Sequence, residues 1–308
     1  MDSLIWIGFI VFILLMLALD LFAFNRKAHI ISIKEAFRWS VFWIALAAIF
    51  NVIIFYWKGH ESALEFTAAY LIEKSLSMDN LFVFLMLFKY FDVAQQYRHK
   101  ILFWGILGAI VFRIIFIIAG IELLERFEFS IYILGAILIW AGFKMMIQKE
   151  KPVQPDRNPF LKLLKRFFPL DSTYAGGRFL IRRNGILYAT PLLVVLIVIE
   201  STDIIFAVDS IPAVLAVSKD PFIAFSSNIF ALLGLRALFF VLAGMLDKFH
   251  LLKIGLSLIL IFVGLKIILS YWYHLDIIWT LTVVGFVLLG SVILSLIFPE
   301  ERNKVQST

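Results

Sequence analysis

The chain reads as an all-α polytopic membrane protein, and three observations carry that reading. Of its 308 residues, 62% are hydrophobic and 16% charged, with a mean hydropathy of +0.97. That is more apolar surface than a water-soluble domain can bury. The apolar residues fall into windows of roughly 20, the length a helix needs to cross a hydrocarbon core of about 30 Å. Lys and Arg cluster in alternate connections, as the positive-inside rule requires of a chain threaded back and forth through a bilayer.

Nine windows follow in order: 4–24, 38–57, 63–88, 101–121, 129–147, 187–215, 222–245, 251–271 and 277–298. The first lacks a basic leader and a small-residue cleavage site, so it is read as a retained helix rather than a signal peptide. The first, third, fifth and seventh connections and the C-terminal tail carry twenty Lys and Arg, against Lys58, Arg126 and Lys219 on the other side. The N-terminus is therefore expected outside and the C-terminus in the cytoplasm. The net charge of +6 belongs to those basic loops and not to a nucleic-acid surface. Residues 1–308 form a single transmembrane domain.

The fifth connection, 148–186, is the only sizeable stretch expected outside the bilayer, and is read as a structured linker with a regulatory or partner-binding role as the alternative. Within it, Phe160–Phe168 (FLKLLKRFF) has basic and apolar residues at helical spacing and ends at Pro169. It is expected to lie on the inner leaflet. Asn184-Gly185 stands between two apolar strings and predicts a type I′ hairpin.

Two windows carry acidic residues at the same spacing. Residues 72–85 (IEKSLSMDNLFVFL) and 202–215 (TDIIFAVDSIPAVL) align Glu73 with Asp203, Asp79 with Asp209 and Asn80 with Ser210. An Asp at a helix centre in hydrocarbon costs about 3 kcal/mol even on the gentlest insertion scale, so a duplicated set points to a site. Each segment is followed by an intramembrane arginine (Arg113, Arg236), an Ala-Gly pair (119–120, 243–244) and a Gly-x-Lys (142–144, 264–266). Residues 63–147 and 187–271 are therefore read as one three-helix unit repeated. An odd number of helices per unit inverts the second copy, an arrangement that places a transport site near the midplane.

Glu73, Ser77 and Asn80 share one helix face, as do Glu200 and Asp203. Pro212 is expected to kink the sixth window, freeing the Val208 carbonyl and turning Asp209 inward. The competing reading is structural glue, with the acids paired to Lys74, Arg113 and Arg236. Five deep carboxylates (Glu73, Asp79, Glu200, Asp203, Asp209) against three bases leave a surplus of about two, enough for a divalent cation, or for one acid to carry a proton. Asp20, near the inner end of the first window, is a supporting candidate that reads equally as an interfacial residue. Asn228 reads equally as glue or ligand. Lys144 and Lys266 are expected to snorkel to the headgroups.

The chain has no cysteine, and its five histidines lie in connections or at window ends. Disulfides and thiolate metal sites are excluded. The site offers only oxygen ligands, which suit Mn, Mg and Ca over Cu(I) or Zn. No HExxH or GxSxG motif is present, so an enzyme is not expected.

The blocks EKSLSMDN (73–80), ATPL (189–192), ESTDIIFAVDSIPA (200–213) and SSNIFALLGLRALFF (226–240) resemble the signature segments of the TerC family, with the likeness running from Asp20 to about Tyr273. The resemblance is strongest to the family's Alx branch and implies a multi-spanning protein of the bacterial inner membrane, related to LysE-superfamily cation transporters. It implies a role in manganese homeostasis, with Mn(II) as cargo rather than cofactor. Carried over by position, the family's acidic sites fall on Glu73, Asp79, Glu200, Asp203 and Asp209, with Asn80 and Asn228 beside them. The expected function is proton-coupled or uniport export of Mn(II). A membrane scaffold or stress-response subunit, linked to tellurite or alkaline conditions, is the alternative.

Overall fold

The computed structural model describes residues 2–25, 32–127, 129–147, 159–171, 175–183, 185–243, 251–269 and 276–298. The elements are α1 (Asp2–Asn25), α2 (Ile33–Lys58), α3 (His60–Tyr90), α4 (Gln95–Arg126), α5 (Ser130–Ile147), α6 (Pro159–Phe167), β1 (Leu180–Arg183), β2 (Ile186–Ala189), α7 (Pro191–Leu215), α8 (Pro221–Leu232), α9 (Leu235–Ala243), α10 (Leu252–Leu269) and α11 (Ile277–Ile297). Among the described residues, seven stretches are long and apolar enough to cross a membrane: α2, α4, α5, α7, Pro221–Val241, α10 and α11. α3 has the length, at 31 residues, but Glu65, Glu73, Lys74 and Asp79 interrupt its apolar run. α1 holds the shorter run Leu4–Leu19.

Side-chain contacts give the relative directions of the helices. α4 and α7 run parallel, with Gly105, Gly108 and Gly120 facing Ile199, Glu200 and Leu215 in turn. α3 runs parallel to α8 and α9: Glu65, Glu73 and Phe88 meet Ser218, Asn228 and Phe239 in the same order. α2 and α3 are antiparallel, through the Phe50–Phe66 and Phe55–His60 ring contacts. So are α10 and α11, where Leu251 meets Ser295 and Lys266 donates to Thr280. That last bond ties the Lys266 ammonium to the first turn of α11. Aromatic rings dock α1, with Trp6, Phe9 and Phe12 packing on Phe222, Phe225 and Phe230.

α5 and α10 cross antiparallel at backbone contact. A Cβ on Gly264 would fall 2.7 Å from the Gly135 carbonyl oxygen, and one on Gly142 would fall 2.7 Å from that of Ser257. Small residues let membrane helices approach this closely, where dispersion and weak polar contacts replace the hydrophobic effect.

Two expectations about helix continuity are corrected. The seventh window is not one helix; it breaks at Leu233-Gly234 into α8 and α9. Gly234 takes φ +77°, and a Cβ there would lie 2.5 Å from Trp43 Cγ, so only glycine fits. The carbonyls exposed by the break accept hydrogen bonds from Lys74 Nζ, Ala231 O at 3.0 Å and Leu233 O at 3.2 Å. A cation at a helix C-terminus is favourably placed. Lys74 therefore serves the helix end and not the acids that the competing glue reading assigned it. Conversely, α7 runs unbroken through Pro212 to Leu215. The proline stands so near the end that its missing donor is confined to the last turn.

In the connection after α5, the hairpin forms as expected: β1 and β2 pair antiparallel from Leu180↔Ala189 to Arg183↔Ile186, and Gly185 has φ +81°. Asn184, residues 148–158 and residues 172–174 lie outside the described residues. α6 presses Leu161 and Leu164 into a small core with Ala189 and Val194, so it is seated on α7. The sixth window consequently begins as strand β2, and its helix starts only at Pro191.

Substituting Gly264 or Gly142 with Ala is expected to lower the melting temperature of the detergent-purified protein, since overpacking of this kind costs about 1–3 kcal/mol. Gly285→Ala, where a Cβ meets nothing within 4 Å, should leave it unchanged. Gly234→Ala should lower it at least as far as Gly264→Ala, because strain and collision coincide there.

Candidate ion site between four helices

Four helices bring polar groups together near their midpoints. From α3 comes Glu73, fully buried, and from α4 Arg113, also fully buried. α7 supplies Asp203 and Ser210, and α8 supplies Asn228, all buried. Arg113 Nη1 donates to Glu73 Oε1 in a direct ion pair, and also to Asn228 Oδ1 at 3.1 Å and Ser210 Oγ at 3.4 Å. Arg113 Nη2 lies 3.6 Å from Asp203 Oδ1. The second oxygen of Glu73 accepts from Asn228 Nδ2 at 3.2 Å, while Ser77 Oγ donates to Oε1 at 3.2 Å. One guanidinium thus faces two carboxylates, leaving a formal charge of −1 among the three.

The two acids are treated differently. Glu73 receives bonds from Arg113, Ser77 and Asn228 and is fully satisfied. Asp203 Oδ2 is buried with no hydrogen-bond partner, and so is Glu200 Oε2, one turn earlier on α7. Glu200 projects toward α4 at Gly108, where any Cβ would collide with its carboxylate. Orphaned buried oxygens are rare because each forfeits its hydration, and here both stand on α7 beside a cluster already short of positive charge. That imbalance is what an added cation would relieve.

Of the residues expected at the site, the structure brings together Glu73, Ser77, Arg113, Asp203, Ser210 and Asn228, with Glu200 adjoining. Asn80 is buried on the same helix as Glu73, a turn beyond Ser77, and is not among the groups bonded to Arg113. Arg236 is buried on α9 with its guanidinium 5.9 Å from the Phe103 ring centre. Lys74 caps α8, and Pro212 continues α7. The side chains of Asp20, Asp79 and Asp209 lie outside the described residues, although their backbones are helical in α1, α3 and α7. Among the described residues, no three His, Asp or Glu side chains are grouped to hold a metal. Sequence reasoning missed Gly108, which makes room for Glu200. The signal was present as Gly105-x-x-Gly108, small residues one turn apart on an apolar helix.

Removing one partner of a buried ion pair strands the other charge and costs about 3–5 kcal/mol. Arg113→Gln, which strands both Glu73 and Asp203, is therefore expected to reduce folded yield and melting temperature sharply. Glu73→Gln should cost less, because Arg113 keeps Asp203 as its counter-charge. Size-exclusion yield and thermal unfolding in detergent measure both.

Residues 58–304 match the integral membrane protein TerC family. The chain is 45% identical over 293 residues to the uncharacterized membrane protein STKORF319 of Myxococcus xanthus, covering 95% of this chain and 92% of that one. It is 43% identical over 311 residues to a Salmonella typhi protein provisionally named as a membrane-bound redox modulator, Alx, with 98% and 96% covered. The Escherichia coli K12 protein of the same name is 43% identical over 302 residues, with 95% and 94% covered. No solved structure matches the chain. With a family match over most of its length and relatives aligned nearly end to end, the chain belongs to the TerC family of integral membrane proteins.

Proposed function

We propose that the protein is a secondary transporter of the bacterial inner membrane that exports Mn(II) from the cytosol. The observation that carries the reading is the pair of unpartnered carboxylate oxygens, Asp203 Oδ2 and Glu200 Oε2, beside a buried cluster of net negative charge. The ligands would be oxygens of Asp203, Glu200, Asp79, Asp209 and Asn80, a donor set that favours hard divalent ions. Glu73 would act through Arg113, holding the guanidinium so that it positions Asp203 and serves as an internal counter-charge while the metal is away.

The inverted repeat is part of this proposal. In the repeat register, Gly142 corresponds to Gly264 and Gly135 to Ser257, so the contact Gly142–Ser257 maps onto Gly264–Gly135. The packing of α3 on α8 likewise maps onto that of α7 on α4. Reciprocal contacts of this kind are the mark of a two-fold axis, and they support nine spans with the second unit inverted. Alternating access then consists of one unit rocking against the other around a site near the midplane. In the proposed orientation the hairpin and α6 face the cytoplasm. As the metal leaves outward, a carboxylate of the surplus would take up a proton, giving metal–proton exchange.

One observation favours the scaffold reading: Glu73 is fully satisfied by Arg113, Ser77 and Asn228, as a structural ion pair would be. The relatives' name suggests redox work. A chain without cysteine could not carry that work on its own thiols.

Because the chain lacks cysteine, single cysteines report its orientation directly. Glu61→Cys should react with an impermeant maleimide in intact cells, and Lys162→Cys only after permeabilisation; the reverse pattern would invert the proposed topology. In proteoliposomes, Mn(II) flux should fall at least about tenfold in Asp79→Asn and Asp209→Asn at normal membrane abundance, whereas a scaffold would show no flux to lose. Flux indifferent to a pH gradient at fixed voltage would replace exchange with uniport.

A further inference from the structure

α6 presents three kinds of surface. Leu161 and Leu164 are buried against α7, while Phe160, Leu163 and Phe167 remain exposed. Lys162, Lys165 and Arg166 are exposed as well and share the remaining face at i, i+3 and i+4. The exposed apolar side walls a cleft of about 340 Å³, completed by Phe112 of α4 and by Ile197 and Ile204 of α7. The surface of that cleft is almost wholly carbon. The two polar residues in its wall are turned elsewhere: Glu200 points at Gly108 of α4, and the Ser201 hydroxyl donates to the Val198 carbonyl at 2.8 Å. From Ile197 to Ile204 the cleft follows α7 for about 10 Å, at 1.5 Å per residue, away from the helix end that carries the hairpin.

We propose that this cleft holds an acyl chain of an anionic phospholipid whose phosphate is bound by the basic face of α6. The apolar wall selects the chain, because a polar or charged occupant would lose its hydration there without gaining a partner. The basic face selects the headgroup. α6 carries no carboxylate, and the next acid in the chain, Asp171, is paired with Arg183 at 2.9 Å. Nothing on the helix therefore opposes a phosphate, which Arg can grip with two parallel hydrogen bonds. Arg166 follows Leu163 by three residues, at the border of the apolar and basic faces, and the long stems of Lys162 and Arg166 can bend toward a headgroup there. Depth agrees with chemistry: the cleft leads from α6 inward along α7, as a lipid leads from its headgroup into the leaflet. A zwitterionic lipid would fill the same cleft but leave three cations uncompensated, whereas anionic lipid is drawn to basic segments at the membrane surface. The site goes beyond metal transport and is read out by lipid binding rather than flux, so either reading can fail without the other.

The test is native mass spectrometry of the delipidated full-length protein, titrated in detergent with dioleoyl phosphatidylglycerol or dioleoyl phosphatidylcholine, which share their chains and differ in charge. One phosphatidylglycerol is expected to bind about tenfold or more tighter than phosphatidylcholine. The triple variant Lys162→Gln, Lys165→Gln, Arg166→Gln changes only exposed side chains and should bind the two lipids alike. Leu163→Ser combined with Phe167→Ser, also exposed, should weaken phosphatidylglycerol several-fold with the basic residues intact. Equal binding of both lipids by the wild type would show unselective annular lipid and overturn the proposal. So would a preference that survives the triple variant, or phosphatidylglycerol binding indifferent to the double serine variant. Displacement of the lipid by equimolar inorganic phosphate would reveal a bare anion site, and a dimer mass in place of the lipid adduct a second copy on the cleft; either result overturns it.

Discussion

Much of the polar core is organised by one guanidinium placed where no water can reach it. Arg113 touches Glu73 on α3, Asp203 and Ser210 on α7, and Asn228 on α8. Its own helix, α4, thereby becomes the common neighbour of the other three. Coulombic attraction in a low dielectric is strong, but so is the desolvation that opposes it. What makes the arrangement tolerable is that nearly every lone pair of Glu73 finds a donor. The residual imbalance is exported to α7, whose carboxylates keep unpartnered oxygens. Satisfied and unpartnered carboxylates are thus divided between two helices carrying the same acidic pattern.

Other features protect this centre from the requirement for dense packing. Glycines carry the closest helix approaches: Gly105 and Gly108 on α4, Gly135 and Gly142 on α5, Gly264 on α10. Apolar bulk lies around them, in the aromatic cluster of α1, α2, α3 and α8. Lys74 resolves what would otherwise be a second defect, the carbonyls freed where α8 ends inside the apolar core. Arg113 and Lys74 each join elements distant in sequence.

Much of this was legible in the chain itself. The apolar windows overlap the long helices α2, α4, α5, α7, α10 and α11, because a membrane-crossing helix must present a long apolar run; the seventh window covers the broken pair α8 and α9. The hairpin was legible at Asn184-Gly185, since a positive φ has few tenants. Glu73 and Asp203, which meet at Arg113, stood out in the sequence because carboxylates are improbable in hydrocarbon. Their partners did not. Nothing along the chain says that Arg113 rather than Lys74 faces Glu73; that depends on which helices are neighbours. Pro212 drew attention as a helix breaker, but a proline in a last turn has little left to break. The actual break required Gly234 to be read together with Trp43, a residue on another helix with no sequence proximity.

The backbone contact between α5 and α10 has a mechanical consequence. Where side chains interlock, two helices can move past one another by exchanging rotamers, each new fit resembling the last. Where main chain rests on main chain there is nothing to exchange. The pair can turn about its point of closest approach, but any slide along the axis drives a side chain into a carbonyl. At the crossing of Gly135 and Gly264 the nearest neighbours are carbonyl oxygens together with the side chains of Ile139, Ile267 and Ile268, so a slide along the axis meets more resistance than a turn about that point.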